Sequence, residues 1–386
     1  MMNIGIDATN LGEGGGITHL KEILLNFNTK RYKNKIDTIV IFSSYKVLDL
    51  LPDYDFIDKV SFPNLNRNLL YRVWFQLTQF DAEIEKRCDI LFSITGDYIG
   101  NFKYVVGMSQ NMLLYERDIW REIKQPKEII RFWLNYKKQK KCFKKSKGII
   151  FISKYAKNYI SNILDLDLKL KTIIHHGISS RFLEGVKELG TINSYTFENP
   201  FKILYVSTVH VYKHHPEVIK AVSLIREKGI PIELNLVGSV IFAPAGKKMF
   251  DIIKDVDPKG EFIHYHGNVS YNVIEGFYQN TNAIIYASTC ENMPNILIES
   301  MASGAPIVSS DKEPMPEFLK DGGFYFDAKS ISSIKETIEM MFSNPEERLV
   351  MCKKNIEEVK KYSWKETSIQ TFDFIINVYN KNKENA

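Results

Sequence analysis

Short apolar runs recur along this chain of 386 residues, each followed by a stretch long enough for a helix, and the alternation occurs twice. The first series is Ile4–Asp7, Thr38–Phe42, Asp89–Ser93, Tyr104–Met108, Gly148–Ser153 and Lys171–His175. The second is Ile203–Val206, Glu233–Val237, His264–His266, Ala283–Ala287 and Pro306–Ser309. Between them lie helical segments such as Ile17–Phe27, with Leu20, Ile23, Leu24 and Phe27 on one face, and Pro216–Glu227. Strands alternating with helices predict mostly parallel, doubly wound sheets. The chain is too long for one core of ordinary size. The reading is therefore α/β with two domains: 1–182, a polar linker at 183–200, and 201–363. A final periodic helix occupies 364–386, with Ile369, Phe372, Ile375, Ile376 and Tyr379 on its apolar side. Two such halves imply a cleft, and open α/β sheets bind ligands outside the carboxyl ends of their strands.

Composition narrows the class. Hydrophobic residues at 44% and charged residues at 25% describe a soluble globular protein. A net charge of +5 is mild and does not by itself imply nucleic acid. No run approaches the ~20 apolar residues of a membrane span, and Met1–Asp7 does not read as a secretion signal. Cys88, Cys142, Cys290 and Cys352 have no paired spacing, which fits a reducing cytosol and no zinc site.

The chemistry concentrates in Cys290–Pro306. Glu291 and Glu299 stand eight positions apart around an expected strand-to-helix turn. Pro294 suits the first turn of a helix running from Asn295 to about Ser303, and Gly304 and Pro306 end it. That N-terminus would present backbone N–H groups to an anion, with Glu299 one turn inside, on the face of Asn295. The bland alternative is two solvated glutamates on a surface helix. Order, spacing and flanks together resemble the E-x7-E signature of retaining glycosyltransferases of the GT-B type, in particular glycosyltransferase family 4.

The resemblance implies two Rossmann-like domains facing a cleft, with the C-terminal helix crossing back to the first domain. It is strongest over Phe201–Tyr325 and diffuse in the first half. It implies that Glu299 receives ribose hydroxyls, and that Glu291 with Asn292 and Met293 holds the donor sugar and phosphate. Lys213 follows the first strand of domain two and matches a family lysine facing the diphosphate. The family's arginine is replaced by Thr208, so His210 is a candidate contributor. The loop Gly12–Gly16, with Gly15 and Gly16, is read as a backbone approach to phosphate or acceptor. It is not a dinucleotide fingerprint, since Ile17 stands where the third glycine is needed and Ser43-Ser44 replaces an acidic ribose ligand. Gln110 and Asn111, where many relatives carry a histidine nearby, are read as sugar contacts. His175-His176-Gly177 is read as a hinge or packing turn, and His214-His215 as structural.

Arg131–Lys147 carries one Arg and seven Lys with aromatics and no acid. It suits an anionic inner-membrane surface, or else a solvated helix with its aromatics in the core. The implied activity is retaining transfer of a hexose-type sugar from a nucleotide-sugar to a glycan or lipid-linked saccharide, in cell-surface polysaccharide or O-antigen-type assembly. No cofactor, metal or nucleic acid is expected, and the place is the cytoplasm, at most peripheral on the membrane face. Two rivals remain: a non-enzymatic basic binder of membrane or nucleic acid, and a sugar-nucleotide epimerase or hydrolase on the same fold. The latter would need an acid or base pair in domain one, where none is evident from the sequence.

Overall fold

The computed structural model describes residues 1–12, 14–183, 185–187, 190–270 and 272–384. The chain divides into two compact units. Unit 1 comprises Met1–Arg117, Lys124–Gly177 and Tyr362–Ala386; unit 2 comprises Asp118–Ile123 and Ile178–Lys361.

Unit 1 holds seven strands: β1 (Met2–Asp7), β2 (Ile36–Phe42), β3 (Ile57–Val60), β4 (Ile90–Ser93), β5 (Val105–Ser109), β6 (Gly148–Phe151) and β7 (Leu170–Ile173). Their order is β3-β2-β1-β4-β5-β6-β7. Unit 2 holds β8 (Phe201–Val206), β9 (Ile232–Val237), β10 (Ile263–Tyr265), β11 (Ala283–Tyr286), β12 (Ile307–Ser310) and β13 (Phe324–Phe326). Their order is β10-β9-β8-β11-β12-β13. All the pairings between these strands are parallel. Each sheet is thus wound in both directions from its first strand, and the direction reverses between β1 and β4 in unit 1 and between β8 and β11 in unit 2. Those two reversals are where such sheets take ligands.

The expected apolar runs are buried strands: β4, β6, β11 and β12 are buried throughout. Two edge strands lie outside the runs read from the sequence. β3 carries Asp58 and Lys59, which suits an edge that must not pair further, and β13 has only three residues. The final helix, Trp364–Glu384, buries Phe372, Ile375, Ile376 and Val378 within unit 1. Ser368 Oγ donates to the carbonyl of Ile23 at 2.7 Å, and Tyr32 OH donates to that of Ile369 at 3.0 Å. The segment read as a linker joins unit 2 where it is described. Lys187 Nζ donates to the carbonyls of Tyr278, Gln279 and Thr281. Glu184, Glu188 and Leu189 lie outside the described residues, as do the last two positions of the C-terminal segment.

The basic segment belongs to a helix of 20 residues, Pro126–Lys145. Phe132, Tyr136 and Phe143 turn into the core, while Ile130, Trp133 and Leu134 are exposed. No helix among the described residues is long and apolar enough to cross a membrane.

Candidate active site

The reversal in unit 2 gathers the residues singled out from the sequence. β8 ends at Val206, and the chain continues through Ser207–His210 into a short turn, Val211–Lys213. Gly238, after β9, makes this path possible. It has φ +144°, and a Cβ there would stand 2.0 Å from the carbonyl oxygen of Ser207. Thr208 is half-buried. The His210 ring packs beside Tyr212 and Phe242, with centroids 4.5 and 4.8 Å away.

Lys213 is not a solvated loop residue. It is 5% exposed, and its Nζ donates to Glu291 Oε1. Tyr286 OH donates to the same oxygen at 2.8 Å. The ammonium also lies 5.3 Å from the Tyr212 ring and 5.5 Å from the Tyr286 ring. Tyr205 OH anchors the turn by donating to the carbonyl of Lys213 at 2.6 Å. The amide of Thr289 donates to the carbonyl of Tyr212 at 2.9 Å, tying the β8 and β11 loops together. Burial, with the charge of Glu291 next, pushes the Tyr286 and Tyr212 hydroxyls well above their usual range, so both stay protonated donors. His215 is buried and stacked on Tyr205 at 4.7 Å. Its pKa falls to about 3, by burial first and the charge of Lys213 second, so the ring is neutral. An ion pair built this way holds one ammonium proton on Glu291 and leaves two donors on the nitrogen.

The helix after Glu291 runs Asn295–Ala302, with Pro294 at its N-cap, which makes no side-chain cap hydrogen bond. Asn292 and Met293 are buried at the turn, Asn295 is half-buried, and Glu299 is half-buried one turn further on. Leu297, Ile298 and Met301 fix the opposite face in the core. Lys213, Glu291 and the helix start therefore share the carboxyl-terminal end of β8 and β11.

In unit 1 two expectations need correction. Gly15 and Gly16 do not form a loop: they open the helix Gly15–Leu25, capped by Gly14 at φ 109°. Once Gly14 takes a conformation open to glycine, the amides of Ile17 and Thr18 close onto its carbonyl and the helix starts two residues early. Glu13 of that segment lies outside the described residues. Gln110 is also less available than a free sugar contact. Its Nε2 donates to the carbonyl of Ile94 at 2.9 Å and meets His19 Nδ1 at 3.1 Å. Asn111 is exposed, and its Oδ1 accepts from the amide of Leu113 at 3.0 Å. His176 packs on His19 at 4.6 Å and on Trp364 at 5.5 Å, while Gly177 abuts the backbone of Trp364.

One constellation was missed. At the other reversal, between β1 and β4, a pair of carboxyls meets: Asp7 ends β1, and Asp97 follows β4. Asp7 is 1% exposed and accepts from the Thr9 amide at 3.2 Å, Thr9 Oγ1 at 2.6 Å and Ser93 Oγ at 3.3 Å. Burial first, then the charge of Asp97, raises Asp7 to about 6. The only sequence signal was an acid closing an apolar run, which ordinary turns also show.

Comparison with known proteins agrees with this arrangement. Residues 192–359 match the family described as "Glycosyl transferases group 1". The matched stretch spans the ion pair and both glutamates. Among curated relatives, a D-inositol 3-phosphate glycosyltransferase of Arthrobacter sp. (strain FB24) is 20% identical over 45% of this chain and 42% of that protein. The O-antigen chain mannosyltransferase B of Escherichia coli is 22% identical over 44% of each chain. The match thus spans less than half the length of these two relatives. Whole-chain likeness extends to solved structures. Sucrose-phosphate synthase from Thermosynechococcus elongatus has a TM-score of 0.75 at 13% identity, over 99% of this chain and 100% of that one. Anabaena HepE in complex with UDP-glucose has a TM-score of 0.67 at 13% identity, over the full length of both. The fold is GT-B, built from two Rossmann-like units.

Proposed function

We propose that the chain is a retaining, metal-independent hexosyltransferase of glycosyltransferase family 4, binding its nucleotide-sugar donor on unit 2. The observation that carries this reading is the Lys213–Glu291 pair at the β8–β11 reversal, beside the start of the helix bearing Glu299. Glu299 receives the ribose hydroxyls. Glu291, with the backbone around Asn292 and Met293, receives hydroxyls of the donor sugar, and Asn295 and Thr208 line the same end. The two remaining Lys213 donors and the helix N-terminus meet the diphosphate. A helix end contributes ~0.3–1 kcal/mol when exposed and up to ~2 kcal/mol when partly buried.

The bond between the sugar's anomeric carbon and the diphosphate oxygen breaks, and its electron pair leaves with the nucleoside diphosphate. The acceptor oxygen bonds to the anomeric carbon on the same face, and its proton passes to the departing phosphate. Lys213 stabilises the negative charge that grows on that phosphate, so the transfer requires no protein base. HepE, solved with UDP-glucose, supports a nucleotide-sugar donor. The O-antigen mannosyltransferases of Escherichia coli and Salmonella typhimurium support a glycan or lipid-linked acceptor in surface polysaccharide assembly. Ile130, Trp133 and Leu134, exposed among the lysines of Pro126–Lys145, support a cytoplasmic enzyme resting on an anionic bilayer.

The test is thermal stabilisation by UDP, GDP, ADP and CMP, in chelator, with Glu299→Ala as control. A ligand at ~100 times its dissociation constant adds about 2.7 kcal/mol. One nucleotide should stabilise the wild type and not the variant. No stabilisation by any of the four would sink the reading.

A further inference from the structure

The side chains of β11 are Ala283, Ile284, Ile285 and Tyr286. Tyr286 closes the strand at 1% exposure, and its hydroxyl is the single polar side-chain atom that β11 carries. A buried hydroxyl costs free energy unless it is bonded, and a phenylalanine would fill the same space without that cost. This hydroxyl is used. It donates to Glu291 Oε1 at 2.8 Å, its partner among the described residues. Lys213 Nζ donates to the same oxygen.

The two donors make the carboxylate asymmetric. Oε1 takes both, whereas Oε2 accepts from no described residue, and the side chain keeps 17% exposure. An ionised carboxylate accepts at both oxygens, so Oε2 is the one left for a ligand hydroxyl. Which oxygen is presented depends on rotation about the last side-chain bond, a broad torsion with little preference of its own. Lys213 alone does not fix it, because an ammonium on a flexible stem follows the carboxylate as it turns. The phenol does fix it. Its ring is enclosed at the end of a strand paired with β8 and β12, and the Tyr205 ring stands edge-on to it at 6.5 Å. Tyr205 in turn holds the backbone of Lys213, donating to its carbonyl at 2.6 Å. Two rigid tyrosines thus grip the ion pair, one at each partner.

We propose that Tyr286 is a positioning residue for the donor site. Its hydroxyl pins Glu291 Oε1, so that Oε2 is presented to a hydroxyl of the donor sugar and the two remaining Lys213 protons are kept for the diphosphate. This rests on the donor reading of unit 2 for the ligand, and on the hydrogen bonds alone for the placing of Glu291. Tyr286 acts only through Glu291, so its effect must vanish when that carboxylate is gone.

The test is a double-mutant cycle in the full chain: wild type, Tyr286→Phe, Glu291→Ala and the two combined. Phenylalanine keeps the ring and its packing, so Tyr286→Phe should stay folded. Isothermal titration compares UDP-glucose, UDP-N-acetylglucosamine, GDP-mannose and ADP-glucose with UDP, GDP and ADP. Tyr286→Phe should weaken the nucleotide-sugar by about tenfold or more, the scale of one hydrogen bond to a charged group. The matching diphosphate should bind nearly as before. In the Glu291→Ala background Tyr286→Phe should change neither affinity. Equal loss for nucleotide-sugar and diphosphate, equal loss in both backgrounds, or no loss at all overturns the proposal. A second readout needs no ligand. The Lys213 ammonium, identified by its absence in Lys213→Met, gives a proton–nitrogen NMR signal that should shift in Tyr286→Phe as Glu291 turns. If no nucleotide binds the wild type, the donor reading falls and this signal decides alone: a shift upholds Tyr286 as the residue that places the pair, and an unmoved signal overturns it.

Discussion

Lys213→Met tests whether the buried pair is a structural unit. The side chains of Lys213 and Glu291 are only 7% and 17% exposed. Removing the ammonium leaves Glu291 with Tyr286 OH as its described donor, inside a ring of tyrosines. Removing one partner of a buried pair costs ~3–5 kcal/mol, because the survivor keeps its desolvation penalty without its counter-charge. The residual exposure of Glu291 places the expectation near the lower bound, about 3 kcal/mol. At ~2–4 °C per kcal/mol for a domain of this size, the melting temperature of unit 2 should fall by about 6–12 °C. Glu291→Gln should cost a similar amount, since the Lys213 ammonium, the more buried of the two, then loses its counter-charge. The double variant Lys213→Met/Glu291→Gln should recover much of the loss, giving a coupling energy of at least ~1 kcal/mol. Urea unfolding of the four proteins measures this. Additive single effects, or a loss below ~1 kcal/mol for Lys213→Met, would refute the reasoning and return Lys213 to the solvated lysine expected of an ordinary loop.

Asp7 is raised to about 6 in the folded protein, above its ordinary value, so the folded state binds more protons than the unfolded chain between about pH 4 and 6. Stability should therefore fall as pH rises through that window, by on the order of 2–3 kcal/mol, and Asp7→Asn should flatten the slope measured by chemical denaturation. Gly238→Ala should cost ~2 kcal/mol or more, since its Cβ would strike the carbonyl of Ser207 in a backbone region side chains avoid; an unchanged melting temperature would contradict the observed path after β8. Phe372→Ala should cost ~3–5 kcal/mol by opening the buried face of the last helix. Arg31→Ala, which breaks a pair with Asp373 between half-exposed side chains, should leave the melting temperature nearly unchanged.

Much of the architecture was legible because parallel strands are buried on both faces and therefore read as uninterrupted apolar runs. β1, β4, β6, β8 and β11 announced themselves this way. The edges β3 and β13 did not, because a strand with one neighbour can carry charge, as Asp58 and Lys59 do, or be only three residues long. The helix after Glu291 was legible from its proline and glycine, since those residues restrict backbone dihedrals locally and need no tertiary contact to do so. The start of the first helix was not, because three glycines give no local rule for where a loop ends.

Local order determined which side chains stand at the strand ends: Lys213 after β8, Glu291 after β11, Asp7 at the close of β1. Their partners came only from the fold. Lys213 and Glu291 are 78 residues apart, and their pairing follows from β8 and β11 being neighbours although β9 and β10 come between them in the chain. The corresponding reversal in unit 1 brings the loop of β4 to that of β1 and sets Asp97 close enough for its charge to act on Asp7. The sheet's winding, not either acid's own surroundings in sequence, made a carboxyl pair where the sequence offered two unrelated residues. Burial shifts a pKa through everything packed around the group, and that environment exists only once distant segments have met.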